Sequence, residues 1–473
     1  MNTSPSLDSM RELVVGTEEL VTLLDGSRRA FINFDNASST PFLHSVLDRV
    51  NEFAPLYASV GRGSGYKSHL STEAFAQARA TIGRFVGASL DTHAVILGKN
   101  TTEALNRVTH CLRLSEDDVV LTSLMEHHSN DLPWRRAAEV HHVGLCDDGS
   151  LDIGHLTEML ERFQGRVRAV AISGASNVTG YINPIHDIAA LVHDAGGVIA
   201  VDAAQLAPHR SIDMLDEEDP RHIDFLAYTG HKMYAPLGIG ALVALKSAVR
   251  AREPEIVGGG TVDFVTEDDV VWSRLPEREE AGTPNIVGAI GWAQAIEELT
   301  DLGMDRVAAH ESELAAKMLS SVEDAPKIEV FGDPKPSGSR ERLGVVTFRV
   351  KGVSHRLIAA ILGYEGGIAV RTGLFCAHPY VQKLLGLPAD ASASIARGMR
   401  SGDRQQVPGL VRVSFGIYNT LAEVEDLVAM LDLIAAERCA GEYVLDPETG
   451  AYAPADCDLW GEGADAWSPR GCT

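Results

Sequence analysis

A chain of 473 residues with 45% hydrophobic and 23% charged residues is globular and long enough for two domains around substantial cores, which excludes a disordered protein. The 41 basic against 66 acidic residues leave a net charge of −25, so neither nucleic acid nor an anionic membrane surface is expected as the main partner. No apolar run approaches the roughly 20 residues of a membrane span, and Met1 to Leu13 shows no basic leader, so a cytoplasmic protein is the expectation.

Cys111, Cys146, Cys376, Cys439, Cys457 and Cys472 are scattered, without paired metal-ligand spacing or the density of a disulfide scaffold, so free thiols and no metal centre are expected. From the N-terminus, Met10-Arg-Glu-Leu-Val-Val15 and Leu20-Val-Thr-Leu-Leu24 form a short amphipathic arm. Phe31 to Pro41 reads as an apolar strand running into small polar residues, and Ser59 to Tyr66 as a glycine-rich loop. Ala94 to Leu97 is a strand, after which Thr101 and Thr102 open a helix with Glu103 in its first turn. Hydroxyls and free N–H groups there make either an ordinary threonine cap or an anion cradle. The strand Asp118 to Ser123 leads into Glu126-His127-His128-Ser129-Asn130; adjacent histidines do not share a helix face, so no metal pair is read there. Val167 to Ser173 is the next strand, with Asn177 in a turn and Pro184 placed to begin a helix.

The next two apolar runs carry the chemistry. Gly197-Val-Ile-Ala-Val201 delivers Asp202, with Gln205 one turn on, and Ile223 to Ala227 runs into Tyr228-Thr229-Gly230-His231-Lys232. Strand ends are where ligands bind in parallel α/β sheets. A carboxylate and a lysine on neighbouring strand ends match the needs of pyridoxal phosphate (PLP): an amine to form an imine and an acid partner for the pyridine nitrogen. A cap or a solvated terminus is the alternative reading of the two residues alone. The alternation of strands and helices from Ala94 to Leu245 predicts a mainly parallel sheet covered on both faces. Beyond Ile296, a helical stretch from Gly303 to Ser321 and strands at Leu343 to Arg349 and Ile368 to Arg371 predict a smaller α/β domain. After Cys439 the chain is acidic and rich in Gly, Ala, Asp and Pro, as in a disordered or surface-wrapping tail.

Lys99-Asn-Thr-Thr-Glu103, Met125-Glu-His-His-Ser-Asn130, Ser176-Asn-Val-Thr-Gly180, Val201-Asp-Ala-Ala-Gln205, Thr229-Gly-His-Lys232, Glu280-Ala-Gly-Thr-Pro-Asn285 and Arg371-Thr-Gly-Leu-Phe-Cys376 occur in one order. In that order the chain resembles the class V aminotransferase family of fold type I PLP enzymes, nearest in pattern to group II cysteine desulfurases and selenocysteine lyases, over roughly Phe31 to Leu433. The resemblance implies an α/β fold: a large domain with a mainly parallel seven-stranded sheet plus a smaller C-terminal α/β domain. It divides the chain into an N-terminal arm packing on the small domain (1–30), a PLP-binding large domain (31–298), a C-terminal small domain (299–438) and an acidic tail (439–473).

Its implied site follows residue by residue. Thr101 and Thr102 cradle the cofactor phosphate, His127 stacks on the pyridine ring, and Asn177 contacts the ring oxygen or the substrate carboxylate. Asp202, Gln205, Thr229, His231 and Lys232 complete the cofactor set. Thr283 reaches the phosphate of the partner subunit, which implies a homodimer with shared active sites. On the substrate side stand Asn36, Ala37, Arg371 and Arg412, the last gripping the α-carboxylate with two parallel hydrogen bonds. Arg62 is implied as a cross-subunit contact, in Gly61-Arg62-Gly63 where group II desulfurases typically have His-Arg-Gly. Cys376 falls where those enzymes carry the nucleophile that takes sulfur from L-cysteine as a persulfide and releases L-alanine, with Lys232 moving the α-proton. Leu374-Phe375 stands where a histidine or other polar residue commonly precedes that cysteine, and His378 follows two residues on. The substrate implied is L-cysteine or an S-substituted analogue, and a sulfur-acceptor protein is a compatible partner. The competing readings are a C–S lyase or epimerase acting on a larger amino acid, for which Cys376 is inert, and a non-catalytic PLP-fold binding protein.

Overall fold

The structure is a computed structural model that describes residues 10–61, 63–335, 341–402, 407–447 and 449–455. Arg62 and residues 456–473 of the expected tail lie outside them. The large domain is built on seven strands, β1 (His93–Gly98), β2 (Val119–Ser123), β3 (Glu139–Val143), β4 (Val167–Ser173), β5 (Val198–Asp202), β6 (Phe225–Thr229) and β7 (Gly240–Leu245), in the spatial order β1-β7-β6-β5-β4-β2-β3. The pairs from β3 to β6 are parallel, and β7 runs antiparallel to both neighbours. These strands read as continuous apolar runs because helices cover both faces of the sheet. Along β1, for example, Val95 and Leu97 enter one core while Ala94 and Ile96 enter the other. The first core is closed by helices α1 (Tyr66–Phe85) and α4 (Ile286–Leu302), the second by α2 (Thr101–Leu112); α3 (Ile185–Asp194) connects β4 to β5 on the first face. Buried Trp292 of α4 meets Tyr228 of β6 edge-on at 4.8 Å, anchoring the strand that carries the lysine.

The smaller domain has a four-stranded antiparallel sheet, β8 (Ile328–Phe331), β9 (Val345–Val350), β10 (Arg371–Gly373) and β11 (Leu410–Ser414), in the order β8-β9-β11-β10. Helices α5 (Met304–Val322), α6 (His355–Gly366) and α7 (Leu421–Ala435) cover it. The α7 N-terminus carries a full capping box, Thr420 with Glu423.

Packing divides the chain differently from the sequence reading at its N-terminal end. Ile32 and Phe34, expected to begin the large domain, pack in the core of the small one, because the Ile32–Asn33 strand pairs in parallel with Ile368–Ala369. The arm touches both domains: Met10 and Val14 are buried in the large-domain core, whereas Arg11 forms an ion pair with Glu423 at 2.7 Å and the Leu24 N–H donates to the Tyr364 carbonyl. The described part of the tail is a hairpin of Tyr443–Leu445 with Tyr452–Pro454, held to α6 through Glu365, which accepts from the Gly441 N–H and the Tyr443 hydroxyl.

Candidate active site

The carboxyl ends of β5 and β6 place Asp202 and, one turn beyond Thr229, Lys232 on the wall of a cavity of about 330 Å³. Backbone approach is close here. A Cβ on Gly230 would meet Ile239, the Ala235 carbonyl and Trp292 at 2.9–3.0 Å, so only glycine lets the chain turn from β6 into the lysine. Thr101, Thr102, His127, Asn177, Asp202, Gln205, Thr229, His231, Lys232, Ala37, Arg371, Cys376 and Arg412 all line this one space. The seven sequence motifs therefore converge, apart from the Glu280–Asn285 segment.

The mouth of α2 forms the first wall. Its cap is Asn100, whose side chain accepts from the Glu103 N–H at 3.0 Å. The threonines are thus not the cap: Thr101 Oγ1 is buried without a hydrogen-bond partner, and Thr102 Oγ1 meets Ser129 Oγ at 2.7 Å. A buried hydroxyl beside free helix N–H groups is the donor set of an anion site. Gly240, where a Cβ would meet the Asn100 backbone at 2.7 Å, lets this helix end press against β7.

The opposite wall is acidic and basic by turns. Burial holds the Asp202 carboxyl above its usual range, opposed by the Ala204 N–H that it accepts and by the charge of Lys232. Burial also brings Lys232 down to about 8, with Arg412 adding to the effect and Asp202 resisting it. Gln205 donates from Nε2 to the Ala37 carbonyl at 2.8 Å and leaves its buried Oε1 without a partner. His127 is held neutral, pushed down to about 3 by burial first and then by Lys232, His128 and Arg412. Its Nδ1 accepts the Ser129 N–H at 3.1 Å, which assigns the proton to Nε2. His231 is lowered to about 4 by burial and by Lys232, and the Thr229 hydroxyl donates to the Ile239 carbonyl. Two orphaned buried oxygens, a buried carboxyl, a half-buried amine and a neutral imidazole in one cavity fit PLP.

The small domain supplies the third wall. Register places Arg371 of β10 directly opposite Arg412 of β11. Arg412 donates from Nη2 to Asp35 Oδ1 and Ser38 Oγ, both at 2.9 Å, and from Nη1 to the Asn177 carbonyl at 3.0 Å, while its buried Nε has no partner. Phe375 and exposed Cys376 both adopt left-handed backbone, φ +51° and +53°, a conformation that non-glycine residues take only when held. Three contacts hold it: Asn177 Nδ2 donates to the Phe375 carbonyl at 2.8 Å, the His128 N–H donates to the Cys376 carbonyl at 2.7 Å, and the Arg412 guanidinium lies over the Phe375 ring at 5.2 Å. His378, exposed, sets its ring against His128 at 4.4 Å.

Three expectations are corrected or left apart. Asn36 is buried away from the cavity: its amide donates to the carbonyls of Asn33 and Ser414 and its oxygen accepts from the Tyr418 hydroxyl, so it ties the strand to β11 instead of meeting a substrate. Asn177 lines the cavity but gives an amide hydrogen to the cysteine loop. Thr283 is exposed and lines a separate depression with Lys99, Gly238 and Asn285. The residues that sequence reasoning passed over are Asp35, Ser38, Ser129 and Glu126. All four lie within runs it quoted, but small polar and acidic residues in a turn carry no signal of their partners. Glu126, fully buried, accepts from Ser123 Oγ, Ser173 Oγ and Asn130 Nδ2, and burial raises it to about 7.

A sheet of this order with a lysine and an aspartate at its carboxyl edge defines a fold type I PLP enzyme, and the model of the family described as aminotransferase class-V matches residues 32–427. The chain belongs to that family. It is 33% identical over 418 residues to a cysteine desulfurase of Haloferax volcanii, covering 86% of this chain and 90% of that one. It is 34% identical to a probable cysteine desulfurase of Halalkalibacterium halodurans, covering 86% and 94%. Among solved structures it is similar to the apo cysteine desulfurase of Thermococcus onnurineus NA1, with a TM-score of 0.75, 30% identity and coverage of 86% and 95%. It is also similar to the cysteine desulfurase CsdA (S-sulfonic acid) of Escherichia coli, with a TM-score of 0.75, 28% identity and coverage of 92% and 100%.

Proposed function

We propose that the chain is a PLP-dependent cysteine desulfurase that converts L-cysteine to L-alanine and leaves the sulfur as a persulfide on Cys376. The observation that carries this reading is an exposed cysteine at the rim of a cavity whose lining holds a half-buried lysine and a buried aspartate. Curated relatives named as cysteine desulfurases, matched over most of both chains, support the same chemistry.

Thr101, Thr102 and the α2 N-terminus would hold the phosphate, Asp202 the pyridine nitrogen, His127 the ring face and Lys232 the aldehyde carbon. Bound there, PLP supplies an electron sink that weakens the bonds at the substrate α-carbon. Arg371 and Arg412, directly opposite across the sheet, bind the substrate carboxylate, with the unpartnered Arg412 Nε free to donate to it. Lys232 moves the proton at the α-carbon. Cys376 Sγ bonds to the substrate sulfur as the C–S bond breaks, and protons return to the three-carbon product.

The active unit in this reading is a homodimer. Thr283 stands exposed and away from its own cavity, and the nearby hairpin Val262–Val265 with Val270–Trp272 exposes Phe264, Val265 and Val271, an apolar patch suited to burial against a second copy. Arg62 is the further cross-subunit candidate. The test is alanine and sulfide release from L-cysteine under reductant. Wild type is expected to release both, and Cys376→Ala and Lys232→Ala neither. Full activity in Cys376→Ala moves the assignment to PLP chemistry on a larger amino acid.

A further inference from the structure

At the opposite end of the sheet from the cofactor cavity, His193 in the last turn of α3, His222 and Asp224 bring their side chains together. Asp224 immediately precedes β6, so the five residues of that strand separate the cluster from Thr229 by roughly 17 Å. His193 Nε2 lies 2.9 Å from Asp224 Oδ2 and His222 Nε2 lies 3.5 Å from Oδ1. The other nitrogen of each ring is already committed: His193 Nδ1 is 2.7 Å from the Pro220 carbonyl and His222 Nδ1 is 2.8 Å from the Asp219 carbonyl. A carbonyl oxygen only accepts, so both rings carry their proton on Nδ1. Each Nε2 is therefore the ring atom left to face the Asp224 carboxylate, either as a lone pair or, in the charged ring, as an N–H that donates to it. What the two Nε2 atoms and the carboxylate converge on is positive charge, supplied either by ring protons or by one metal ion.

We propose that His193, His222 and Asp224 form a binding site for a divalent cation of the zinc type. The outer contacts are those of ligating groups: each imidazole is oriented through Nδ1 by a backbone carbonyl, and Asp224 Oδ2 is oriented by the Ile199 N–H at 2.8 Å. Two imidazoles with one carboxylate favour zinc, cobalt or nickel over magnesium or calcium. Ligand bonds of about 2.0–2.1 Å at tetrahedral angles put neighbouring donors about 3.3 Å apart. His193 Nε2 stands 2.9 Å from one oxygen of Asp224 and His222 Nε2 3.5 Å from the other, so small side-chain shifts bring both nitrogens to one ion on the carboxylate. The rings are stacked at 4.1 Å and 19° from parallel, so closing both lone pairs on one ion takes a tilt of His222, the looser of the two. Both histidines keep some solvent exposure, which leaves an entry path and a fourth position for water. The ion would tie α3, the loop before β6 and the start of β5 together. Its ligands stand at positions 193, 222 and 224 without a spaced motif, so the sequence gives no sign of the site.

The test is cobalt(II) titration of chelator-treated holoenzyme in a Cys376→Ser background, which removes the exposed thiol. The expected result is a visible tetrahedral cobalt band that saturates at one ion per chain, is lost in His222→Asn, and returns in His222→Cys with added sulfur-to-cobalt charge transfer. The thermal midpoint of the holoenzyme rises with zinc and fails to rise in His222→Asn, whose His193–Asp224 contact remains to support folding. Absence of the band, or an equal band in His222→Asn, overturns the proposal. So does nitrogen NMR showing both rings as imidazolium in the presence of zinc, the outcome in which protons, not a metal, bridge to Asp224.

Discussion

At the scale of single residues, burial sets the protonation states of the cavity. Lys232, brought down to about 8 by its surroundings, holds a neutral amine at a pH where an exposed lysine is almost wholly charged. Only the neutral amine attacks an aldehyde. The rate at which apoprotein takes up PLP, followed by absorbance, is therefore expected to rise through about pH 8 and level off above it. A rate that keeps rising toward pH 10.5, the ordinary lysine value, contradicts this. Glu126 acts on stability with the opposite sense of proton binding. Its folded value of about 7 lies above the ordinary 4.5, so the folded state binds the proton more tightly; this stabilisation is complete below about pH 4.5 and is lost as pH rises through about 7. The difference corresponds to about 3 kcal/mol. Glu126→Gln, which does not titrate, is expected to flatten the loss of stability between pH 5 and 8 in urea unfolding; parallel curves for the two proteins contradict the shift.

At the scale of elements, the cysteine loop depends on segments remote in sequence. Phe375 and Cys376 occupy left-handed backbone that costs roughly 1–2 kcal/mol per residue, offset by the Asn177 amide and the His128 N–H. Asn177→Ala leaves the buried Phe375 carbonyl without its donor, a loss of about 1–3 kcal/mol in loop order. The expected outcome is a fall in kcat of about tenfold or more with the cofactor absorbance unchanged. A shifted absorbance with normal kcat would instead place Asn177 against the cofactor ring, as the family resemblance implies. The Asn36 side chain is drawn inward for a related reason: the turn that carries it follows the Asp35–Ser414 bridge, and its amide is used on Ser414 and Asn419.

At the scale of the whole molecule, one subunit contains the lysine, the aspartate and the cysteine, yet leaves Thr283 and the apolar hairpin outward. Sedimentation is expected to give a dimer. Phe264→Asp, placed on the exposed hairpin, is expected to shift it toward monomer and to weaken cofactor retention together; a monomeric wild type that keeps PLP contradicts the shared site. Among the described residues no helix is long and apolar enough to cross a membrane.

Much of this architecture is written locally. Apolar runs of strand length, Asp202 and Lys232 at their ends, and Thr101 and Thr102 at a helix start follow from the pattern of side chains along the chain, since a strand or a helix is specified by its own periodicity. The tertiary structure alone decided what depends on pieces distant in sequence: Arg371 opposite Arg412, Asp35 and Ser38 on the Arg412 guanidinium, Asn36 turned inward, Phe34 drawn into the small domain, and His193, His222 and Asp224 gathered beneath the sheet. Those contacts arise from strand register and crossover packing. No local spacing encodes them, because the partners meet only when the layers close.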